Sequence, residues 1–146
     1  LSEESFTQVF SIIDNAFWNF DVEDNAYVLM KSPSGLVAHL HSSATQWKHK
    51  FLLEMAFENG YINLDGILSS TRSYAPETMI IGKREFEDVT FAMGKPKESI
   101  TYYEYDKSWE LELKEFIEAI NGISAVKNGT SNDALEIMKL IDNVYS

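Results

Sequence analysis

The chain has 146 residues, 45% apolar and 13% aromatic, which fits one ordered domain (residues 1–146) able to bury most of a compact core. Twelve basic residues against 23 acidic ones give a net charge of −11, a field that repels nucleic acid and anionic lipid, so neither is an expected partner. The absence of cysteine excludes disulfides, zinc–thiolate centres and thiol nucleophiles, and is compatible with a reducing, cytoplasmic location.

In chain order, "SEESFTQVFSII" sets Phe6, Val9, Phe10 and Ile13 at helical spacing behind a cap at Ser2, which predicts a short amphipathic helix. "FWNFD" breaks that pattern. "EDNAYVLMKSPSGLVAHLHSS" reads as a hairpin, with Val28 and Met30 alternating against Tyr27, Leu29 and Lys31 about a turn at Pro33 and Gly35. "KFLLEMAFENGYINLDGIL" reads as a second hairpin joined at Asn59-Gly60. "ETMIIGKREF", "DVTFAM" and "SITYYEYD" are further strands, with Lys95-Pro96 in a charged turn. "SWELELKEFIEAI" places Trp109, Leu113, Phe116, Ile117 and Ile120 on one helical face, with Glu110 and Glu112 early in the helix. The last helix follows Thr130 and Asp133, spaced as a capping box, with Leu135, Met138, Ile141, Val144 and Tyr145 as its buried stripe. Trp109 and Tyr145 are assigned to helix packing rather than to an aromatic platform. The expectation is an α+β fold: an open, mostly antiparallel sheet of about six strands with helices packed on one face. Aromatic and aliphatic residues on both sides of the strands leave the other face in need of a partner subunit or a further domain.

No apolar run approaches the roughly 20 residues of a membrane helix, and no signal peptide is visible. The chain opens on Leu1 rather than Met and is read as a fragment, excised or processed. It holds no G-x-G-x-x-G, G-x-x-x-x-G-K-[ST] or G-x-S-x-G, so no dinucleotide loop, phosphate loop or nucleophile elbow is recognisable. All three histidines lie in "HLHSSATQWKHK". His39 and His41 share a strand face, and His49 or one of several acids is a conceivable third ligand, but no metalloprotein spacing supports them and no metal site is expected. Glu23 and Asp24 are adjacent acids, and as neighbours they point to opposite faces. A structural role at the strand start with Asn25 is therefore preferred to paired acid/base work.

Taken in order, "VEDNAYVLMKSPSGLVAHLHSSATQWKHKFLLEMAFENGYINLDGI", "YAPETMII", "DKSWELELKEFIEAI" and "NGTSNDALEIMKLIDNVYS" resemble the C-terminal domain of the glucose–fructose oxidoreductase/inositol dehydrogenase family (Gfo/Idh/MocA). The resemblance covers Val22 to Ser146. It rests on soft motifs: E-D-N at Glu23–Asn25, the glycine hairpin from Gly60 to Gly66, and G-T-x-x-D-A-L from Gly129 to Leu135. It implies a two-domain enzyme whose N-terminal Rossmann domain, absent from this chain, binds NAD or NADP. No cofactor is expected on this chain itself. The family's D-x-x-x-H-type motif has no counterpart in the histidine-free opening, so the catalytic residues are unknown. The resemblance also implies a substrate-facing role for "HSSATQWKHK", because hydroxyls, amides, imidazole and an aromatic ring suit a polyol. His41, Ser43, Gln46, Trp47 and Lys48 are the expected substrate-binding residues, against the alternative of a solvated edge or dimer-contact strand.

The expected function is therefore the substrate-binding and oligomerisation domain of an oxidoreductase acting on a sugar, sugar derivative or polyol, inactive alone. It is expected to form a homodimer or tetramer through its open sheet face. The alternative is a self-contained α+β binding or dimerisation module.

Overall fold

The computed structural model describes residues 4–69, 71–84 and 97–146, and these form an α+β fold of two antiparallel sheets and two helices. "DVTFAM", the Lys95-Pro96 turn and the Ser2 cap lie outside the described residues. Two compact units share the chain: residues 1–46 with 115–146, and residues 47–114.

The first unit holds the sheet β1–β2–β3, formed by Gln8–Asp14, Asn25–Lys31 and Val37–Ser43. β1 corrects the expected opening helix. Phe6, Val9, Phe10 and Ile13 fit a helical face, but the same residues also alternate, with Val9, Ser11 and Ile13 half-buried and Gln8, Phe10 and Ile12 exposed. The β-branched Val9, Ile12 and Ile13 fit a pleated surface better than a helix, and a full ladder from Gln8↔Lys31 to Asp14↔Asn25 decides the matter. β2 and β3 form the expected hairpin around Ser34. There Ser32 is buried, its N–H reaches Leu36 O at 2.9 Å, and its Oγ accepts from Leu36 N at 3.1 Å.

Alternation gives this sheet two unlike faces. Val9, Ser11, Ile13, Ala26, Val28 and Met30 share one of them, and the helix α2 (Ser131–Tyr145) packs there against β1. Ser11 Oγ donates to Val144 O at 2.6 Å. Val28 (2% exposed) and Met30 (7%) are the buried apolar pair beneath it. The other face carries Phe10, Ile12, Tyr27, Leu29 and Val37, all exposed.

α2 begins with the expected capping box: Thr130 Oγ1 accepts from Asp133 N at 3.2 Å, and Asp133 accepts from Thr130 N at 2.8 Å. The loop before it is pinned by Glu115, which accepts from Lys127 N at 2.8 Å and Asn128 N at 3.1 Å. These bonds hold the Glu115 carboxyl below its ordinary range.

The second unit holds β4 (Leu52–Phe57), β5 (Gly60–Ile67), β6 (Tyr74–Lys83) and β7 (Glu98–Tyr103) in sequential order. The β4–β5 connection is Glu58-Asn59 rather than Asn59-Gly60. Gly60 pairs with Phe57, and its missing side chain admits the Gly82 carbonyl of β6. Gly66 forms a bulge at φ 81°, where a Cβ would meet Pro76 O at 2.0 Å. Tyr61 lies over Gly82, where no side chain could fit, and donates to Glu98 at 2.7 Å; the carboxylate raises the phenol's pKa.

The unit boundary falls within α1 (Ser108–Ile120). The expected α+β fold holds: the described strands number seven, in antiparallel sheets of three and four. The helical stripes are a second correction. Trp109 (77% exposed), Leu113, Phe116, Ile117 and Ile120 are uncovered, as are Leu135, Met138, Ile141 and Tyr145, while Val144 with Leu140 is half-buried. Periodicity marks an apolar face but does not say what covers it.

Met30→Ala should cost about 2–3 kcal/mol in denaturant unfolding, while Leu29→Ala, one residue along on the open face, should cost less than about 1 kcal/mol. Equal losses would contradict the assignment of the two faces.

Candidate functional site

The polar end of the open face is built by the register of the hairpin. Asn25 lies opposite both Asp14 and Ser43, and Tyr27 lies opposite His41. The Tyr27 and His41 rings stack at 4.2 Å and 11°, and His41 Nε2 approaches Asn25 Oδ1 at 3.3 Å. Asn25 Nδ2 donates to Asp24 at 2.8 Å and to Thr45 Oγ1 at 3.3 Å, while Ser43 and Thr45 hydroxyls meet at 2.9 Å. One amide, one imidazole, two hydroxyls and a phenol ring therefore share one strip. Such a strip can both donate to and accept from a polyhydroxylated ligand.

Two of the five expected substrate residues, His41 and Ser43, belong to this strip. Gln46 ends the first unit's N-terminal segment; Trp47 and Lys48 begin the second unit, and all three are exposed, Trp47 at 93%. His49 is in the second unit as well, edge-on to Tyr74 at 4.9 Å, and His39 is exposed on β3 opposite Leu29. Among the described residues no group of three or more His, Asp or Glu side chains could hold a metal. Sequence reading missed Asn25, Tyr27 and Thr45 as neighbours of this site. The signal was present: a hairpin centred on Ser34 forces Tyr27 opposite His41 and Asn25 opposite Ser43.

Asp24 anchors the strip from below and is 5% exposed. Its carboxylate accepts from the N–H groups of Phe17 at 2.7 Å, Trp18 at 2.8 Å and Ala16 at 3.3 Å. The Trp18 N–H leads the bonds that hold its pKa down at about 2, against the cost of burial. Trp18 Nε1 donates to Ala44 O at 3.2 Å, and Asn15 donates to Phe20 O, so the aromatic segment between β1 and β2 is tied at several points. Glu23 turns the other way and accepts from the Tyr145 hydroxyl of α2, which lowers the carboxyl's pKa and raises the phenol's. Both acids are engaged with separate structural donors and share no site. Tyr145 packs as a tether to Glu23 rather than as part of a buried stripe.

The two described helix starts are poor seats for a dinucleotide's pyrophosphate. A pyrophosphate needs free N–H groups at a helix N-terminus. Here Asp106 already accepts from Ser108 N at 2.9 Å at the start of α1, and Thr130 with Asp133 occupies the start of α2, so both ends present acids.

These elements form an α+β fold of two antiparallel sheets and two helices. The chain is similar in structure to UDP-N-acetylglucosamine 3-dehydrogenase from Acidithiobacillus ferrooxidans, with a TM-score of 0.66 and 18% identity over 84% of this chain. It spans 36% of that enzyme's length. No family model matches the chain, and no curated protein matches it in sequence. Among the described residues no helix is long and apolar enough to cross a membrane.

Because Asp24 has a folded-state pKa below its ordinary 3.8, the stability it contributes is present above pH 3.8 and lost as pH falls towards about 2. Asp24→Asn should lower the unfolding midpoint at neutral pH and flatten the acid limb between pH 4 and pH 2. A variant with an unchanged acid limb would contradict the clamp.

Proposed function

We propose that this chain is the substrate-binding and oligomerisation domain of an NAD(P)-dependent cytoplasmic oxidoreductase acting on a sugar, a sugar derivative or a polyol, and that it is inactive alone. The observation that carries the reading is the fold shared with the sugar-nucleotide dehydrogenase. The ordered E-D-N, glycine-hairpin and G-T-x-x-D-A-L motifs of the sequence support it.

In this reading NAD or NADP sits on a Rossmann domain outside these residues and supplies hydride exchange with a carbinol carbon. This chain binds and orients the substrate. His41 and Ser43, backed by Asn25 and Thr45, pair with sugar hydroxyls. Gln46, in the same unit, adds an amide. Below the polar row, Ile12, Phe10, Tyr27, Leu29 and Val37 form an exposed apolar centre of the kind that a second copy covers in an isologous pairing. The apolar centre with Asn25, Ser43, Gln8 and Lys31 around it has the anatomy of an interface core and rim.

Calorimetric titration of the isolated chain with NAD or NADP should show no binding, and micromolar affinity would contradict the fragment reading. Light scattering at micromolar concentration should give a multiple of 16.7 kDa. Phe10→Glu should return the chain to a monomer with an unchanged circular dichroism spectrum. A wild-type monomer would contradict the oligomerisation role.

A further inference from the structure

The row Asp14–Asn25–Ser43 closes one end of the open face of β1–β2–β3 and spans about 10 Å, two interstrand spacings. Asp14 ends β1 on the side of Phe10 and Ile12. It is exposed, and its carboxylate has no hydrogen-bond or ion-pair partner among the described residues. The polarity of its neighbours follows from Asp24. An ionised carboxylate only accepts, so Asn25 Nδ2 must face Asp24, and Asn25 Oδ1 is left for His41. Oδ1 also only accepts, so His41 Nε2 donates there and Nδ1 of the neutral ring remains as an acceptor. The second Nδ2 hydrogen goes to Thr45 Oγ1. Ser43 Oγ accepts from Thr45 N at 3.1 Å and lies 2.9 Å from Thr45 Oγ1. Passing the Thr45 hydroxyl hydrogen to Ser43 satisfies both groups and leaves the Ser43 O–H to donate outward. This end of the sheet therefore offers a ligand two accepting groups, Asp14 and His41 Nδ1, and one donor, Ser43.

Charge points the same way. Asp24 N–H donates to Asp14 O at 2.9 Å, which sets a buried, ionised carboxylate next to an exposed one. Lys31 is the one lysine or arginine between residues 4 and 46, and it lies three rows away, about 20 Å along β2. That distance is well beyond the screening length of about 8 Å in physiological salt. Lys48 belongs to the second unit.

We infer that Asp14 is a further substrate-binding residue, and that this end of the sheet takes a vicinal diol of an uncharged sugar or polyol and excludes phosphate and pyrophosphate groups. The inference rests on the substrate-binding reading above and narrows its ligand. Two adjacent hydroxyls donate to the two Asp14 oxygens, and a third accepts from Ser43 while donating to His41 Nδ1. A phosphate at neutral pH brings acceptors in place of those donors. It leaves Asp14 and His41 Nδ1 unpaired and sets its own charge against two carboxylates.

The test is NMR titration of the full chain at millimolar concentrations of glucose, galactose, mannose, sorbitol and myo-inositol, each compared with its monophosphate. At least one neutral compound should shift the Asp14, His41 and Ser43 signals, and its phosphate should bind at least tenfold more weakly. In Asp14→Asn, whose site is exposed, that neutral compound should lose at least fivefold in affinity, and the gap to its phosphate should narrow. No shift at these residues from any neutral compound would overturn the substrate-binding reading itself. Equal binding of the phosphate, or neutral binding unchanged in Asp14→Asn, would overturn only the present inference and leave that reading standing.

Discussion

The Asp24 carboxylate is the constraint on which the first unit depends. Ten residues join β1 to β2, and three of them are large aromatics with no core to enter. Left to itself, such a segment would leave β1 loosely attached. The buried carboxylate gathers three consecutive N–H groups from Ala16 to Trp18 and the Asn25 amide, so the connection closes and Asp14 is held opposite Asn25. With that register set, every side chain of β1 has its face decided. Ser11 and Ile13 turn towards α2, while Phe10 and Ile12 join the open face. Loss of the clamp would therefore be felt in two places at once: the cover over Val28 and Met30, and the shape of the exposed apolar patch.

Much of this was legible in the sequence, for local reasons. The β2–β3 hairpin is fixed by Pro33, Gly35 and strict alternation, and the start of α2 by Thr130 and Asp133, all signals within a few residues of one another. The second hairpin was legible to within one residue, the difference arising because Gly60 is required by Gly82 of β6 rather than by the turn. What escaped depends on distant partners. A seven-residue apolar stretch such as Gln8–Asp14 satisfies helix and strand templates alike, and pairing with β2 chooses between them. The Tyr145–Glu23 tether spans 122 positions, and Tyr61 over Gly82 reaching Glu98 is visible only once β5, β6 and β7 are aligned. Amphipathic stripes on α1 and α2 predicted a burial that these exposed side chains do not show, because a stripe carries no information on what lies opposite it.

The candidate site follows the same division. His41 and Ser43 were named from residue type, whereas their neighbours Asn25, Tyr27 and Thr45 come into view through the hairpin register. Together they form a graded surface, polar at the Asp24 end and apolar beyond Tyr27. The proposed function assigns the polar end to a hydroxyl-rich ligand and the apolar remainder to a second copy, with His41 at the junction.

The central claim is that the open face of β1–β2–β3, and not the face under α2, meets a second copy. Methyl-resolved NMR spectra of the full chain on dilution from several hundred micromolar to a few micromolar test it residue by residue. The account predicts concentration-dependent shifts for the Ile12, Leu29 and Val37 methyl groups and fixed positions for those of Val9, Ile13 and Val28. Shifts confined to the second set, or no change in either set across the range, would contradict it.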